Sequence, residues 1–349
     1  MDISTALPRR NAVPVTALGV VILLSIVGAL VTYKATASLG ALAAVTSTGA
    51  LPPRTPWIDT GEMGRIVRPF ATTANYVGRV WIALLFGVLV SAAVRAFVPA
   101  RWFDRALGGG KRGLLAGGLL GAPLMLCSCC VAPVFDGVYR RTGRLGPALA
   151  LMTASPALNP FAIVLTFLLF PLPVGALRLA GAAVLVFVAS AWVARVAGKA
   201  KGGAQCAVDE APAPATLGEA MRTFFASARD LSLRTVPVIL LGVLLSAAFA
   251  EAVPLSGLAG ADRIFAIALV AMVAVPLALP TFAELPLGAA LLAAGAPAGA
   301  VVALLVAGPS VNLPSLLTVR SRASGRAALA VAASVAAIAF VAGLAAELA

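Results

Sequence analysis

The sequence predicts an all-α polytopic membrane protein containing two inverted repeats, and three observations support this fold class. Of the 349 residues, 61% are hydrophobic and 11% are charged, whereas soluble domains are nearer half apolar and a quarter charged. The apolar runs are nearly continuous rather than alternating, which indicates helices instead of a closed barrel. The third observation is an internal repeat, in which the segment from Pro276 resembles the segment from Pro123.

The repeat keeps one register over most of two segments that lie 153 residues apart. The matched pairs include Pro133/Pro286, Gly146/Gly299, Pro156/Pro309 and Asn159/Asn312. The charged turns do not match, because the positions of Arg140, Arg141 and Arg144 hold Ala293, Ala294 and Pro297 in the second copy. Two copies with opposite basic turns are most simply two copies inserted in opposite orientations.

The elements follow in order along the chain. Residues 1–34 predict an extra N-terminal transmembrane helix, because the apolar run 12–33 follows Arg9-Arg10 and is long enough to span. A cleaved signal peptide is the alternative, since Ala35-Thr36-Ala37 resembles a cleavage site. The remaining predicted segments are an extracytoplasmic loop 35–76, permease repeat one 77–196, a cytoplasmic linker 197–234 and permease repeat two 235–349.

Each repeat is expected to contain a re-entrant hairpin made of a broken helix. The first hairpin is 113–141 and the second 263–294, and each is followed by a further broken span. If 113–141 returns to the side it entered from, most Arg and Lys lie in cytoplasmic loops, as the positive-inside rule requires. This topology places the N-terminus in the cytoplasm.

The net charge of +13 does not indicate nucleic-acid binding, because no basic stripe with interleaved aromatic residues is present. The expected partners are a transported small solute or ion and the lipid bilayer, and a homo-oligomer stays open. The chain has no His and no ATPase motif, so neither an enzymatic role nor a cofactor is expected.

Three of the four cysteines, Cys127, Cys129 and Cys130, fall with Ser128 at the break of the first hairpin. Irregular backbone at membrane depth survives only where it is buried in protein or lines a cavity. Thiols this close in sequence can converge on one soft ion, so they are candidate ligands for a metalloid or soft metal. The alternative is that cysteine packs there as a small apolar residue.

Two further sets of residues are candidates for the solute site. The paired helix breaks offer Ser155 and Asn159 in the first copy, and Ser310 and Asn312 in the second. Proline frees a backbone carbonyl at each break, and these polar side chains can satisfy it or bind a solute; a simple kink is the alternative.

The second hairpin tip offers Thr281 and Glu284. Glu284 has no charged neighbour in sequence, which makes it the candidate carrier of a proton or cation. Asp136 differs, because Arg140 follows at i+4 and is expected to pair with it.

The motifs Leu126-Cys127-Ser128-Cys129 and Ser155-Pro156-Ala157-Leu158-Asn159-Pro160 resemble those of the predicted-permease family that includes the organoarsenical efflux permeases (ArsP type). The resemblance covers roughly 77–346 and includes the segment from Pro309 to Pro314. It implies an inner-membrane permease that in some members exports trivalent arsenicals, with Cys127 and Cys129 as the thiol ligands. Cys130 departs from the family pattern, because that position is usually small and carries no thiol.

The function expected from these observations is export of a thiophilic solute, with a trivalent arsenical or organoarsenical favoured. A soft-metal efflux permease of the Cu or Zn type is the alternative. A membrane thiol-redox protein is a third hypothesis, and the absence of His ligands for haem counts against it.

Overall fold

A computed structural model describes residues 12–51, 55–98, 107–108, 110–197, 216–252 and 262–348. Within these ranges the regular structure is entirely helical. The helices, numbered here in chain order, are α1 Ala12–Thr48, α2 Arg68–Phe97, α3 Lys111–Gly121, α4 Ala132–Thr142, α5 Leu145–Ala157, α6 Pro160–Leu169, α7 Leu172–Val196, α8 Leu217–Ala252, α9 Arg263–Ala274, α10 Glu284–Ala293, α11 Ala298–Ser310, α12 Leu313–Arg322 and α13 Gly325–Leu348.

The helix lengths and composition are those of a multi-pass membrane protein. In the described part of the chain, five helices are long and apolar enough to cross a bilayer: α1, α2, α7, α8 and α13. Two bent pairs also qualify, α5 with α6 at 40° and α11 with α12 at 46°, which raises the number of spans to as many as seven. Both bends coincide with the predicted proline and asparagine breaks.

Two helices are longer than the sequence predicted. Helix α1 continues to Thr48, well into the predicted loop 35–76. Residues 37–48 contain no proline, and half of them are Ala or Leu, which favour a helix. Helix α8 begins at Leu217, inside the predicted linker 197–234, and Thr216 accepts a hydrogen bond from the Glu219 amide at its start. Residues 1–11 and 198–215, which include the lone Cys206, lie outside the described residues.

Helices α2 and α8 run antiparallel and pack against each other. Their ends are marked by ion pairs, Arg68 with Glu251 at 3.0 Å and Arg95 with Asp230 at 3.6 Å. Asp230 and Glu251 are 21 residues apart on α8, which is about 31 Å of helix and close to the thickness of the hydrocarbon core. The two ion pairs therefore define two polar ends of the molecule, the Glu251 end and the Asp230 end.

Two glycines that match in the repeat allow close helix approach. A Cβ on Gly87 of α2 would lie 2.4 Å from the backbone oxygen of Cys130, and a Cβ on Gly242 of α8 would lie 2.7 Å from the Cα of Pro314. Contacts this short with backbone atoms cannot be relieved by a side-chain rotation. These glycines set how closely α2 approaches the chain at Cys130 and how closely α8 approaches the start of α12.

We expect Gly87→Ala and Gly242→Ala to lower the melting temperature in detergent, at a cost of about 1–3 kcal/mol for overpacking. Gly28→Ala is the matched control, because nothing lies within 4 Å of a Cβ at that helical position. Thermal unfolding followed by intrinsic fluorescence measures all three variants. Equal melting temperatures of Gly87→Ala and Gly28→Ala would contradict close contact between α2 and Cys130.

Candidate functional site

The first tip, residues 125–131, connects α3 to α4 and brings three thiols together. The Sγ atom of Cys127 lies 3.2 Å from that of Cys129 and 2.6 Å from that of Cys130, and Cys129 and Cys130 are 3.7 Å apart. All three side chains are buried. Two thiolates on one tetrahedral Zn²⁺ are separated by about 3.8 Å, given bonds of about 2.3 Å. The spacing therefore suits a single soft atom after slight opening of the cluster.

A tight turn produces this convergence. The amide of Val131 donates to the carbonyl of Cys127 and the amide of Ala132 to that of Cys129, so the chain coils just before α4 begins. Met125 begins the tip with a φ of 51°, a left-handed conformation that non-glycine residues rarely adopt. The coil turns the thiols toward one another, as the sequence predicted.

Neighbouring elements hold the first tip in place. The Ser155 hydroxyl of α5 accepts a hydrogen bond from the Leu126 amide at 3.0 Å. The Tyr76 hydroxyl of α2 lies 2.9 Å from the Sγ atom of Cys129. Ser155 thus supports the tip. Tyr76 is 53 residues from Cys129, so the local sequence gives no indication of their contact.

The second tip, residues 275–283, connects α9 to α10 and is held in a similar way. The Ala278 amide donates to the Ser246 hydroxyl of α8 at 2.6 Å, and the Leu313 amide of α12 donates to the Pro276 carbonyl at 3.3 Å. Phe282 has a φ of 70°. Met125 and Phe282 are the non-glycine residues with left-handed backbone among those described, one in each tip.

The asparagines at the two breaks cap the helices that follow them. Asn159 accepts from the amides of Phe161 and Ala162 through its Oδ1, and Asn312 accepts from Ser315, whose hydroxyl in turn accepts from the Asn312 amide. The Asn312 Nδ2 is buried without a partner. Much of the polar capacity predicted for solute binding is therefore used to restart a helix.

A small cavity lies between the two tips. It has room for about one water molecule, with a volume of about 20 Å³. Its lining comes from both tips and both breaks, and includes Cys127, Ser128, Asn159, Thr281, Glu284 and Pro309. Cys129 and Cys130 lie behind Cys127, while Ser310 and Asn312 do not reach this lining. The predicted segments thus meet around a cavity that holds no more than about one water molecule.

A second cavity of about 330 Å³ lies beside the first, toward the Glu251 end. Leu279 and Pro280 line both cavities, so the second tip forms the wall between them. Tyr76 and Arg79 of α2 line the larger cavity, together with Ser246 of α8. Tyr76 therefore contacts both this larger space and, through its hydroxyl, the Sγ atom of Cys129.

Glu284 has no charged neighbour in sequence, but the fold gives it a charged partner. Arg178 of α7 donates from its Nη2 to the Oε1 of Glu284 at 2.9 Å, and the side chains are 1% and 3% exposed. Arg178 also donates to the Thr166 hydroxyl of α6. The partners are 106 residues apart, so only the fold brings them together. An Arg well inside the apolar run 173–196, at position 178, was the signal that could have indicated this residue.

The predicted ion pair between Asp136 and Arg140 is present, and a second arginine joins it. Arg140 bonds to the Oδ1 of Asp136 at 2.9 Å, and Arg322 of α12 reaches the same atom at 3.0 Å. Asp136 therefore ties α4 to the end of α12. It does not line the cavity between the tips.

We expect either Arg178→Gln or Glu284→Gln to destabilise the protein by about 3–5 kcal/mol, because each leaves a buried charge without its counter-ion. The double variant should recover most of that loss. Arg263→Gln is the control, since Arg263 is 76% exposed in its pair with Glu347 and such pairs contribute about 0–1 kcal/mol. Melting temperatures in detergent measure the cycle, and additive losses in the double variant would show that the two charges do not interact.

Comparison with known proteins agrees with this architecture. A family model described as a predicted permease (ArsP_1) matches residues 68–348. The UPF0718 protein YraQ of Escherichia coli strain K12 is 31% identical over 251 residues, 70% of this chain and 71% of the relative. The UPF0718 protein MJ0584 of Methanocaldococcus jannaschii is 26% identical over 100 residues, 28% and 27% of the two chains. No solved structure matches. The chain belongs to the ArsP_1 predicted permease family.

Proposed function

We propose that this permease exports a thiophilic solute, with trivalent arsenicals favoured, through the site between the two tips. The observation that carries the proposal is the cluster of Cys127, Cys129 and Cys130, whose sulfur atoms all lie within 4.8 Å of one another. Cys127 lines the cavity to which both halves contribute. Three buried thiols in a permease are the ligands that a soft metal or metalloid prefers.

The chemistry of such binding is ligand exchange without a change in redox state. A methylated trivalent arsenical with two hydroxyl groups would form two As–S bonds and release two water molecules, the thiol protons leaving with the hydroxyls. Inorganic arsenous acid would form three As–S bonds and release three water molecules. Cys127 and Cys129 suffice for the first solute, while the second also needs Cys130. A soft metal ion would use the same thiols after they lose their protons.

The architecture proposed for transport is a pair of inverted repeats, each with a re-entrant hairpin. In the first half, α3 runs parallel to α5, since a Cβ on Gly117 would meet Pro147 and one on Gly121 would meet Leu151. Helix α4 leads into α5 through the turn at Gly143, so it returns to the end where α3 began. In the second half, the starts of α9 and α11 both contact Glu347.

The two hairpins open toward opposite ends of the molecule. The first opens near Arg322, which bonds to Asp136 of α4. The second opens near Glu347, which lies in the last turn of α13, whereas Arg322 lies just before the start of that helix. This geometry supports the inverted orientation that the unmatched basic turns predict. With the basic Asp230 end in the cytoplasm of a bacterial cell, the N-terminus is cytoplasmic and the larger cavity faces outward.

In this proposal the thiols bind the solute and Glu284 couples its release to a proton. Protonation of Glu284 would leave Arg178 without its buried counter-ion, which favours movement of α7 relative to the second tip. The larger cavity then provides the way out, past Tyr76 and Pro280. Alternating access would proceed by movement of one half against the other around the cavity.

We expect Cys127→Ser and Cys129→Ser each to abolish resistance to methylarsenite in an arsenic-sensitive bacterium, and to abolish methylarsenite uptake by everted vesicles. Cys130→Ser should keep methylarsenite transport and lose arsenite transport, because only the inorganic form uses three thiols. Cys206→Ser, a cysteine outside the cluster, is the matched control, and membrane protein levels are compared by immunoblot.

Other results would separate the alternatives. Uptake of Cu or Zn ions without arsenicals would favour a soft-metal permease, and thiol oxidation without net solute movement would favour a redox protein. Full activity of both Cys127→Ser and Cys129→Ser would contradict the thiol site.

The inverted orientation predicts that two equivalent turns face opposite sides of the membrane. Arg144→Cys lies between α4 and α5, and Ala294→Cys between α10 and α11; both positions are exposed. In a Cys206→Ser background, an impermeant maleimide should label Ala294→Cys in intact spheroplasts and Arg144→Cys only in inside-out vesicles. Labelling of both from one side would show parallel repeats instead.

A further inference from the structure

A third cavity, of about 650 Å³, opens on the surface of the first half, far from the thiols. It is a groove between the starts of α3 and α5 and the last turns of α7. Its rim carries Lys111, Arg144 and Arg195, all exposed, and its wall carries Phe187, Val188 and Trp192. We call this feature the basic groove and propose that it binds an anionic phospholipid.

The position of the basic groove suits a lipid headgroup. Lys111 begins α3, and Arg144 follows α4, whose last turn carries Arg141 bonded to the Val98 carbonyl at the end of α2. The groove therefore lies at the Asp230 end, at the level where the apolar bundle meets its polar border. Basic pockets between transmembrane helices at such a border are suited to anionic headgroups.

Two cations of the groove, Lys111 and Arg195, have no acidic residue beside them in the described lining. Among the described residues that line it, three are cationic and none is acidic. The ion pairs at the same end instead involve Asp136 and Asp230, which bond to arginines outside this lining. A phosphate between Lys111 and Arg195 would supply the missing negative charge.

The walls of the groove suit acyl chains. Val188 is 61% exposed and Trp192 is 47% exposed on α7, although both are large apolar residues. Phe187 is fixed against α3, since a Cβ on Gly118 would lie 2.6 Å from its ring. Tryptophan is enriched where headgroups meet hydrocarbon, because its ring is apolar and its N–H is polar. Cations above an apolar wall match a phospholipid and not a small free anion.

The test uses the full chain purified in an uncharged detergent. Dioleoylphosphatidylglycerol should raise the melting temperature and appear as a bound adduct in native mass spectrometry, whereas dioleoylphosphatidylcholine and inorganic phosphate should do neither. The variant Lys111→Gln/Arg195→Gln should bind phosphatidylglycerol about thirtyfold more weakly, because each cation near a headgroup contributes about a fivefold factor.

Arg222→Gln is the control, since Arg222 is exposed near the start of α8 at the same end and does not line the groove. Both variants should have the melting temperature of the wild type when no lipid is added, because the altered side chains are exposed. Equal stabilisation by phosphatidylcholine, stabilisation by phosphate alone, or unchanged phosphatidylglycerol binding by Lys111→Gln/Arg195→Gln would each overturn the proposal. The proposal is independent of the transported solute.

Discussion

The buried ion pair between Arg178 and Glu284 is the interaction that constrains how the two halves meet. Removing two charges from water costs several kcal/mol for each ion, and here each charge is balanced mainly by a residue of the other half. Glu284 also lines the cavity between the tips. Any movement that opens the cavity by separating α7 from the second tip must therefore preserve the pair or replace one of its charges, and a proton on Glu284 is the smallest such replacement.

The second constraint is the irregular backbone of the two tips. A chain that leaves helical geometry inside an apolar bundle exposes amides and carbonyls that have no water to bind. Short polar side chains from neighbouring helices meet this need, Ser155 for the Leu126 amide and Ser246 for the Ala278 amide. Asn159 and Asn312 cap the helices that restart after the breaks. The repeated polar residues are thus explained first by support of the backbone.

Much of this arrangement could be predicted from local sequence, and the remainder depends on distant contacts. The prolines before Asn159 and Asn312 indicate breaks because proline cannot continue a helical hydrogen-bond ladder. The spacing of Cys127, Cys129 and Cys130 likewise indicates convergence because a turn can bring such thiols together. The partner of Glu284 could not be predicted, since it depends on how α7 packs 106 residues away. The length of α1 was missed for another reason: its apolar run weakens after Tyr33, yet helix-forming residues continue to Thr48.

The two tips are equivalent in architecture and different in chemistry, and this difference organises the proposed mechanism. Both contain a residue with left-handed backbone, and both are bonded to a neighbouring broken helix. The first holds three thiols and no charge, while the second leads directly into Glu284, the first residue of α10, whose carboxylate is in an ion pair. If both tips carried the same thiols, a solute could bind in two equivalent conformations. Such a site would lack a separate ionisable group to couple transport to a proton. In the proposed mechanism, the thiols of the first tip bind the soft atom, and the carboxylate beside the second tip gains or loses a proton. The cavity between the tips is so small that a solute entering it must displace both tips.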